Sequence, residues 1–353
     1  MTGREPLVVP ATELTTWCAE VFVAAGVPPA EARVVATALV DADLGGRASH
    51  GVARVSDYLS RLDRGLVAPA TDVRLVQETP GTAVLDAQNG WGQVAPQAAV
   101  EVVVDKARTV GVAWVAVRNS NHNGAAGYWT AQIAEAGLVG VSGTNGSPVM
   151  VPFGGREASV GTNPLSIAVP SSGGRPIVFD MASSAQARGK ILVAAKNGEP
   201  IPEGWALDKD GRPTTDARAA WEGILLPMAG PKGSGLALMI DVLAGVLSGA
   251  NFGATMPRMY VDEEPQRLGH FFLAADVAAF MPLTEFQERM SVRERETREG
   301  APGEGFEAVY MPGDLEAARA ARQLAEGIAL SRSIWDELQA TAARYGVTRP
   351  LVS

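Results

Sequence analysis

The chain has 353 residues, 46% hydrophobic and 20% charged, which excludes a mostly disordered polypeptide and fits one large domain or a few small ones. Lys and Arg number 30 against 39 Asp and Glu, a formal charge of −9, and this argues against nucleic acid and anionic membrane faces as partners. One cysteine, Cys18, excludes an intramolecular disulfide framework and a cysteine-rich zinc site.

Met1 to Pro6 lacks an apolar signal-peptide core, so a cytoplasmic protein is expected. The first third reads as helical to about Arg64. Leu14, Trp17, Cys18, Val21 and Phe22 make one apolar face, with Cys18 read as a small buried hydrophobe. Pro28 and Pro29 open a second helix that Gly45 and Gly46 end. A third helix is expected from about His50 to Leu62. Its apolar stripe would be Val52, Val55, Leu59 and Leu62, and another side would carry His50, Arg54 and Tyr58.

From Thr71 short β-like runs appear at 73–76, 83–85, 112–117, 138–141, 165–169 and 177–179, with helical stretches at 94–108 and 124–136. Turn-connected strands predict a mixed or antiparallel sheet, not a doubly wound parallel one. Residues 195–220 read as a long surface excursion. An apolar helix over Ser234–Ala250 is interrupted by Asp241 and too short to span a bilayer comfortably. A strand begins at His270. Thr284 with Gln287 predicts a capping box, and the charge run from Glu288 to Arg298 a solvated face. Helix returns from Asp314.

Several common signatures are absent. No G-x-G-x-x-G follows a strand, no G-x-S-x-G occurs, and the segment around Gly189-Lys190 fails as a Walker A loop. No H-E-x-x-H or similar ligand spacing supports a catalytic zinc, and no metal is expected. Two of the three histidines lie in short polar stretches, Ser49-His50-Gly51-Val52-Ala53-Arg54 and Ser120-Asn121-His122-Asn123-Gly124. Histidine exchanges protons near neutral pH, and an arginine fork matches a carboxylate. Gly-rich turns at 143–146, 161–164 and 230–233 allow close backbone approach, and Lys232 at a helix start suits a phosphate. This set suits hydride exchange at the carbon of a 2-hydroxy or 2-oxo acid. Arg54 has an alternative in a surface pair with Asp57 or Glu20. His270 reads as structural, and Trp91, Trp114 and Trp129 as core or interface.

At these residues the chain resembles the malate/L-lactate dehydrogenase family, which is distinct from the Rossmann-type enzymes and includes ureidoglycolate and sulfolactate dehydrogenases, a diketogulonate reductase and cyclic imine reductases. Matching stretches are 49–54, 120–122 with 124–128, 161–164, 179–184, 187–190, 232–233 with 235–238, 269–272 and 312–314. The resemblance implies an α/β, non-Rossmann NAD(P)-binding fold with a mixed, largely antiparallel sheet, and a homodimer. Residues 1–68 and 314–353 would form a helical, dimerisation-associated domain, and 69–313 the cofactor- and substrate-binding region. His50 would carry the proton with Ser49 in support, and His122 is its rival. Arg54 would hold the substrate carboxylate, with Tyr58, Thr144 and Asn163 beside the substrate. His122, Gly124, Thr162, Asp180, Met181, Ala182, Ser183, Lys232, Pro312, Gly313 and Asp314 would contact NAD or NADP, with NAD favoured slightly.

The implied activity is an NAD(P)-dependent dehydrogenase of a small 2-hydroxy acid. A cyclic imine-carboxylate reductase and a catalytically silent binding protein are the alternatives. Two positions depart from the family pattern. Lys190 stands where the imine reductases carry an acidic residue, and Asn123 where an aromatic is usual, which bears on the shape of the substrate pocket.

Overall fold

The computed structural model describes residues 7–259 and 261–348. The chain starts with a short strand β1 (Leu7–Val9), then α1 (Ala11–Ala24) and α2 (Pro29–Leu44). Both helices are entered through proline, whose fixed φ suits a first turn. The expected third helix is shorter than its apolar pattern. Residues Ala48–His50 and Val52–Arg54 form two 3-10 turns, and only Val55–Asp63 is α-helix, α3. The break is at Gly51, whose backbone is extended. The Asp43 carboxylate accepts the Val52 N–H at 2.8 Å and holds the turns against the end of α2.

The central layer is a seven-stranded sheet. In chain order it begins with β2 (Arg74–Glu78), β3 (Thr82–Asp86), α4 (Val94–Val110), β4 (Val112–Ser120), α5 (Ala126–Glu135), β5 (Leu138–Thr144), β6 (Leu165–Val169) and β7 (Ile177–Met181). There follow α6 (Arg188–Asn197), β8 (Ala206–Leu207), α7 (Ala217–Glu222), β9 (Ile224–Leu225), α8 (Pro231–Asp241) and β10 (Leu268–Asp276). The strand order is β2-β3-β4-β10-β5-β6-β7. Only β3 and β4 pair in parallel, across the α4 crossover; the other neighbours are antiparallel. The mixed, largely antiparallel sheet is the expected one.

The C-terminal part comprises α9 (Leu283–Arg298), α10 (Asp314–Glu326), β11 (Ile328–Leu330) and α11 (Arg332–Arg344). Strand β11 pairs antiparallel with β1, a connection that no local pattern signals. Trp335 of α11 stacks on Trp17 of α1 with ring centroids 5.1 Å apart, and Leu338 joins the same core. Each side chain so buried stabilises the fold by about 1.5–3 kcal/mol, so α1–α3 and α11 stand on one shared apolar core. A second core lies between α4, α5 and the sheet, and includes Trp129 and Phe272.

Two further expectations change. Residues 195–220 are not a bare excursion, because Ala194, Ile201, Ala206, Ala217 and Ala220 pack with Ile191, Met150 and Leu225 into a small core. The capping box at Thr284 does not form. Helix α9 starts two residues earlier, behind Pro282 and without a side-chain cap, and Gln287 instead donates to the Ser171 carbonyl. Among the described residues no helix is long and apolar enough to cross a membrane.

Candidate active site

Two segments distant in sequence bring the two polar-loop histidines face to face. His50 ends the first 3-10 turn, and His122 follows β4. Their rings lie 5.5 Å apart, centroid to centroid, and 29° from parallel. Tyr58, buried on α3, places its hydroxyl 2.7 Å from His122 Nδ1.

The hydrogen-bond directions fix the state of His122. The Gly124 backbone N–H donates to Nδ1 at 3.3 Å, so this nitrogen is an acceptor. Gln93 Nε2 donates to the Tyr58 hydroxyl at 3.0 Å, which leaves the Tyr58 proton to point at Nδ1. The neutral ring therefore carries its hydrogen on Nε2. Burial, and then the nearby His50, Arg54 and His270, hold its pKa well below the usual value. Tyr58 is pushed up to about 12, mainly by burial, and stays a neutral donor.

His50 is half-buried, with Nδ1 3.0 Å from Ser49 Oγ. Burial and then the cations Arg54 and Arg47 lower its pKa to about 4. Arg54 is oriented by two bonds, Nε to the Ser49 carbonyl at 2.6 Å and Nη1 to Asp57 at 3.0 Å. The Asp57 pairing considered from sequence is thus present. It fixes the guanidinium on the turn that carries His50.

Other parts of the chain meet the same turn. Gly189, at the start of α6, faces Ser49, and a Cβ there would stand 4.0 Å from that of Ser49. Arg47 approaches Asp180 of β7 at 3.8 Å and Asp41 at 3.7 Å. Burial raises the Asp180 carboxyl, while Arg47 and the Gly127 N–H, donated at 2.9 Å, oppose the rise.

Of the residues expected to hold the dinucleotide, His122 and Gly124 belong to the histidine cluster, while Thr162, Asp180 to Ser183, Lys232 and Pro312 to Asp314 are linked through neighbouring contacts. Gly313, in the left-handed region, is pressed against β7, where an added Cβ would lie 2.9 Å from the Val178 carbonyl. Beyond Asp180 and Met181, Ala182 is exposed. Ser183 is buried and donates N–H and hydroxyl to the Thr162 carbonyl. Its own carbonyl accepts Met228 N–H, and Met228 accepts Gly233 N–H next to Lys232. The Lys232 and Gly233 N–H groups are thus engaged by Ala229 and Met228, and Lys232 itself is exposed. Asp314 ion-pairs with Arg298 at 2.9 Å, and Pro312 is exposed. This run, with the exposed Lys232 beside it, could hold a dinucleotide.

Three expected substrate or pocket residues are buried. Asn163 is fully buried, accepting Gly146 N–H and donating to the Ala237 carbonyl. Thr144 donates to a backbone carbonyl and receives His270 Nδ1 at 2.7 Å, while His270 Nε2 meets Ser120 Oγ at 2.8 Å. His270 is thereby buried, satisfied and structural, as expected. Asn123 is also buried; its backbone carbonyl receives the Trp129 indole N–H at 2.9 Å, and its side-chain Nδ2 has no hydrogen-bond partner among the described residues. Gln93, Arg47 and Asp43 were not legible as site residues. The glycine before Gln93 has a structural reason, since a Cβ at Gly92 would overlap the Asn121 and His122 carbonyls. No group of three or more metal-binding side chains occurs among the described residues.

The fold has close counterparts. A family model described as malate/L-lactate dehydrogenase matches residues 9–339, and the chain belongs to that family of dehydrogenases. L-sulfolactate dehydrogenase of Methanocaldococcus jannaschii is 39% identical over 91% of this chain and 92% of its own length. The solved sulfolactate dehydrogenase structure from that organism superposes with a TM-score of 0.91, at 37% identity, covering 97% of this chain and 98% of that one. Ureidoglycolate dehydrogenase (NAD(+)) of Escherichia coli O157:H7 is 40% identical over 89% of this chain and 90% of its own. (2R)-3-sulfolactate dehydrogenase (NADP(+)) of Chromohalobacter salexigens is 38% identical over 96% and 97%. A Δ1-piperideine-2-carboxylate reductase structure from Pseudomonas syringae aligns with TM-score 0.85, at 34% identity, covering 95% of this chain and 99% of that one.

Proposed function

We propose that the protein is an NAD(P)-dependent oxidoreductase that moves a hydride between nicotinamide and a small 2-hydroxy or 2-oxo acid. The observation that carries this reading is the facing histidine pair beside a pre-oriented arginine. The two imidazoles have different capacities. His122 has its Nδ1 lone pair occupied, so it offers only the Nε2 hydrogen. His50 can donate Nδ1–H to Ser49 and present an Nε2 lone pair. His50 is therefore the group that takes the hydroxyl proton in oxidation, and His122 steadies the developing carbonyl oxygen.

Arg54 receives the carboxylate, whose negative charge offsets the repulsion that Arg54 and Arg47 exert on imidazolium. Substrate binding thus raises the His50 pKa toward the range useful for a reversible proton carrier. When bound, nicotinamide supplies the two-electron step by exchanging a hydride with the substrate carbon. Lys232 holds a phosphate of the dinucleotide, with Asp180 to Ser183 and Pro312 to Asp314 along its length. NAD is our first assignment, and the relatives' names include both NAD(+) and NADP(+). A homodimer and a cytoplasmic location are part of this proposal, and the exposed apolar residues Leu238, Met239, Val246 and Leu247 along α8 and the turn after it support the first.

The test is dinucleotide absorbance during incubation with NADH or NADPH and pyruvate, oxaloacetate, sulfopyruvate, oxalurate or Δ1-piperideine-2-carboxylate. Oxidation with a 2-oxo acid is expected and would name cofactor and acid together. Turnover of the imine alone would replace this reading, and Lys190 in place of an acidic residue speaks against that outcome.

A further inference from the structure

Behind the Tyr58–His122 pair lies a small cavity lined by Tyr58, Arg61, Trp91, Gln93, Asn121 and Met259. Its volume of about 10 Å³ gives room for about one water molecule. Three buried polar atoms of its lining residues have no hydrogen-bond partner among the described residues: Arg61 Nη2, Gln93 Oε1 and Asn121 Oδ1. Leaving three such groups unbonded would be costly.

Their chemical types are fixed. Gln93 Nε2 donates to the His122 carbonyl at 3.1 Å as well as to Tyr58, so turning the amide would set oxygen against oxygen. Asn121 Nδ2 likewise donates to the carbonyls of Asn89 and Gly90, at 3.2 and 2.9 Å. The cavity therefore has one donor, the Arg61 guanidinium, and two acceptors, the amide oxygens of Gln93 and Asn121. Two amide oxygens repel an anion, and the guanidinium repels a metal ion. Water fits this pattern: it donates two hydrogens to the amides and accepts one from Arg61.

We propose that one water molecule is held between Arg61, Gln93 and Asn121 and completes the hydrogen-bond chain that fixes His122 with its hydrogen on Nε2. The water bonds the oxygen end of the Gln93 amide. The nitrogen end then stays on Tyr58, and Tyr58 turns its proton to His122. Gln93 is a positioning residue that never touches substrate. The inference concerns the resting protein and stands whichever acid is turned over.

Two measurements on the intact chain test it. A crystal structure at about 1.5 Å or better should show one density peak within hydrogen-bond distance of all three atoms. A cavity filled by protein atoms, or the three groups bonded to one another, would overturn the proposal. Imidazole ¹⁵N spectra of histidine-labelled protein, with only three histidines to assign, should show His122 neutral with Nε2 protonated. Gln93→Glu removes the donor to Tyr58, so the Tyr58 proton should turn to the new carboxylate and the His122 signals should move toward the other tautomer. An Nδ1-protonated His122 in the unaltered protein, or signals that do not move in Gln93→Glu, would refute the chain. The wild-type spectra and structure decide the matter even where the variant does not fold.

Discussion

Gly51 sits directly on the Asp43 carboxylate: a Cβ added at Gly51 would overlap both side-chain oxygens, while the next N–H, that of Val52, bonds Asp43 Oδ2 at 2.8 Å. This contact aims the turn that carries His50 and Arg54. Gly51→Ala must push the turn away from α2. Turnover should fall at least tenfold while the dinucleotide still binds, as read by steady-state kinetics beside nucleotide fluorescence titration. Unaltered turnover would show that the turn is not held from below.

Asp43 also gives a pH-dependent stability. Burial raises its carboxyl from 3.8 to about 7, against the Val52 hydrogen bond, with the buried Cys18 nearby. The folded state holds this proton more tightly than the unfolded chain does. Its ionisation therefore costs stability, with no cost below the unfolded value and a cost that grows up to about pH 7. Asp43→Asn keeps an acceptor for Val52 and removes the titration. Its Tm advantage over the parent should widen from pH 4 to 7 and then level. Parallel melting curves across that range would contradict this.

For His50, kcat/KM in the oxidation direction should stay flat through neutral pH and fall only as pH drops toward about 4, where the free-enzyme imidazole takes up a proton. His50→Asn should lower kcat by roughly 10²–10⁴ and abolish that acid limb. An acid limb that persists in the variant would move the proton-carrying role to another group.

Arg54→Lys keeps the charge but loses the planar fork and the Nε bond to Ser49. The KM for the acid should rise markedly, while the KM for the dinucleotide changes little. An unchanged KM for the acid would remove Arg54 as the carboxylate clamp.

Lys232→Ala tests the other end of the site. A charge-assisted contact to phosphate contributes about 1.5–3 kcal/mol, so the KM for the dinucleotide should rise about tenfold or more, and its dependence on salt should weaken. Equal dinucleotide KM values for variant and parent would put the phosphates elsewhere.

Local pattern was enough to find most elements and the two polar loops. The runs at 112–117, 138–141 and 165–169 became β4, β5 and β6 because alternation and β-branched content report a half-buried strand directly. The strand pairing of β1 with β11 was invisible, since three-residue strands at opposite ends of the chain carry too little periodicity to register. The apolar stripe after His50 overstated its helix, because periodicity does not register the extended backbone at Gly51 or the buried carboxylate that draws Val52 away from a helical bond.

The sequence by itself determined the residue types available for chemistry: two histidines in polar loops, an arginine and a tyrosine at helical spacing, and a lysine opening an apolar helix. These are covalent facts, and with the motif order they were sufficient to indicate the family. Only the tertiary structure decided what each does. It bonded Asn163 and Thr144 into the scaffold, buried Asn123 and gave His122 two donors on one nitrogen. It also brought Gln93 behind Tyr58. Those outcomes depend on hydrogen-bond direction and burial between segments far apart in the chain, and no local pattern encodes either.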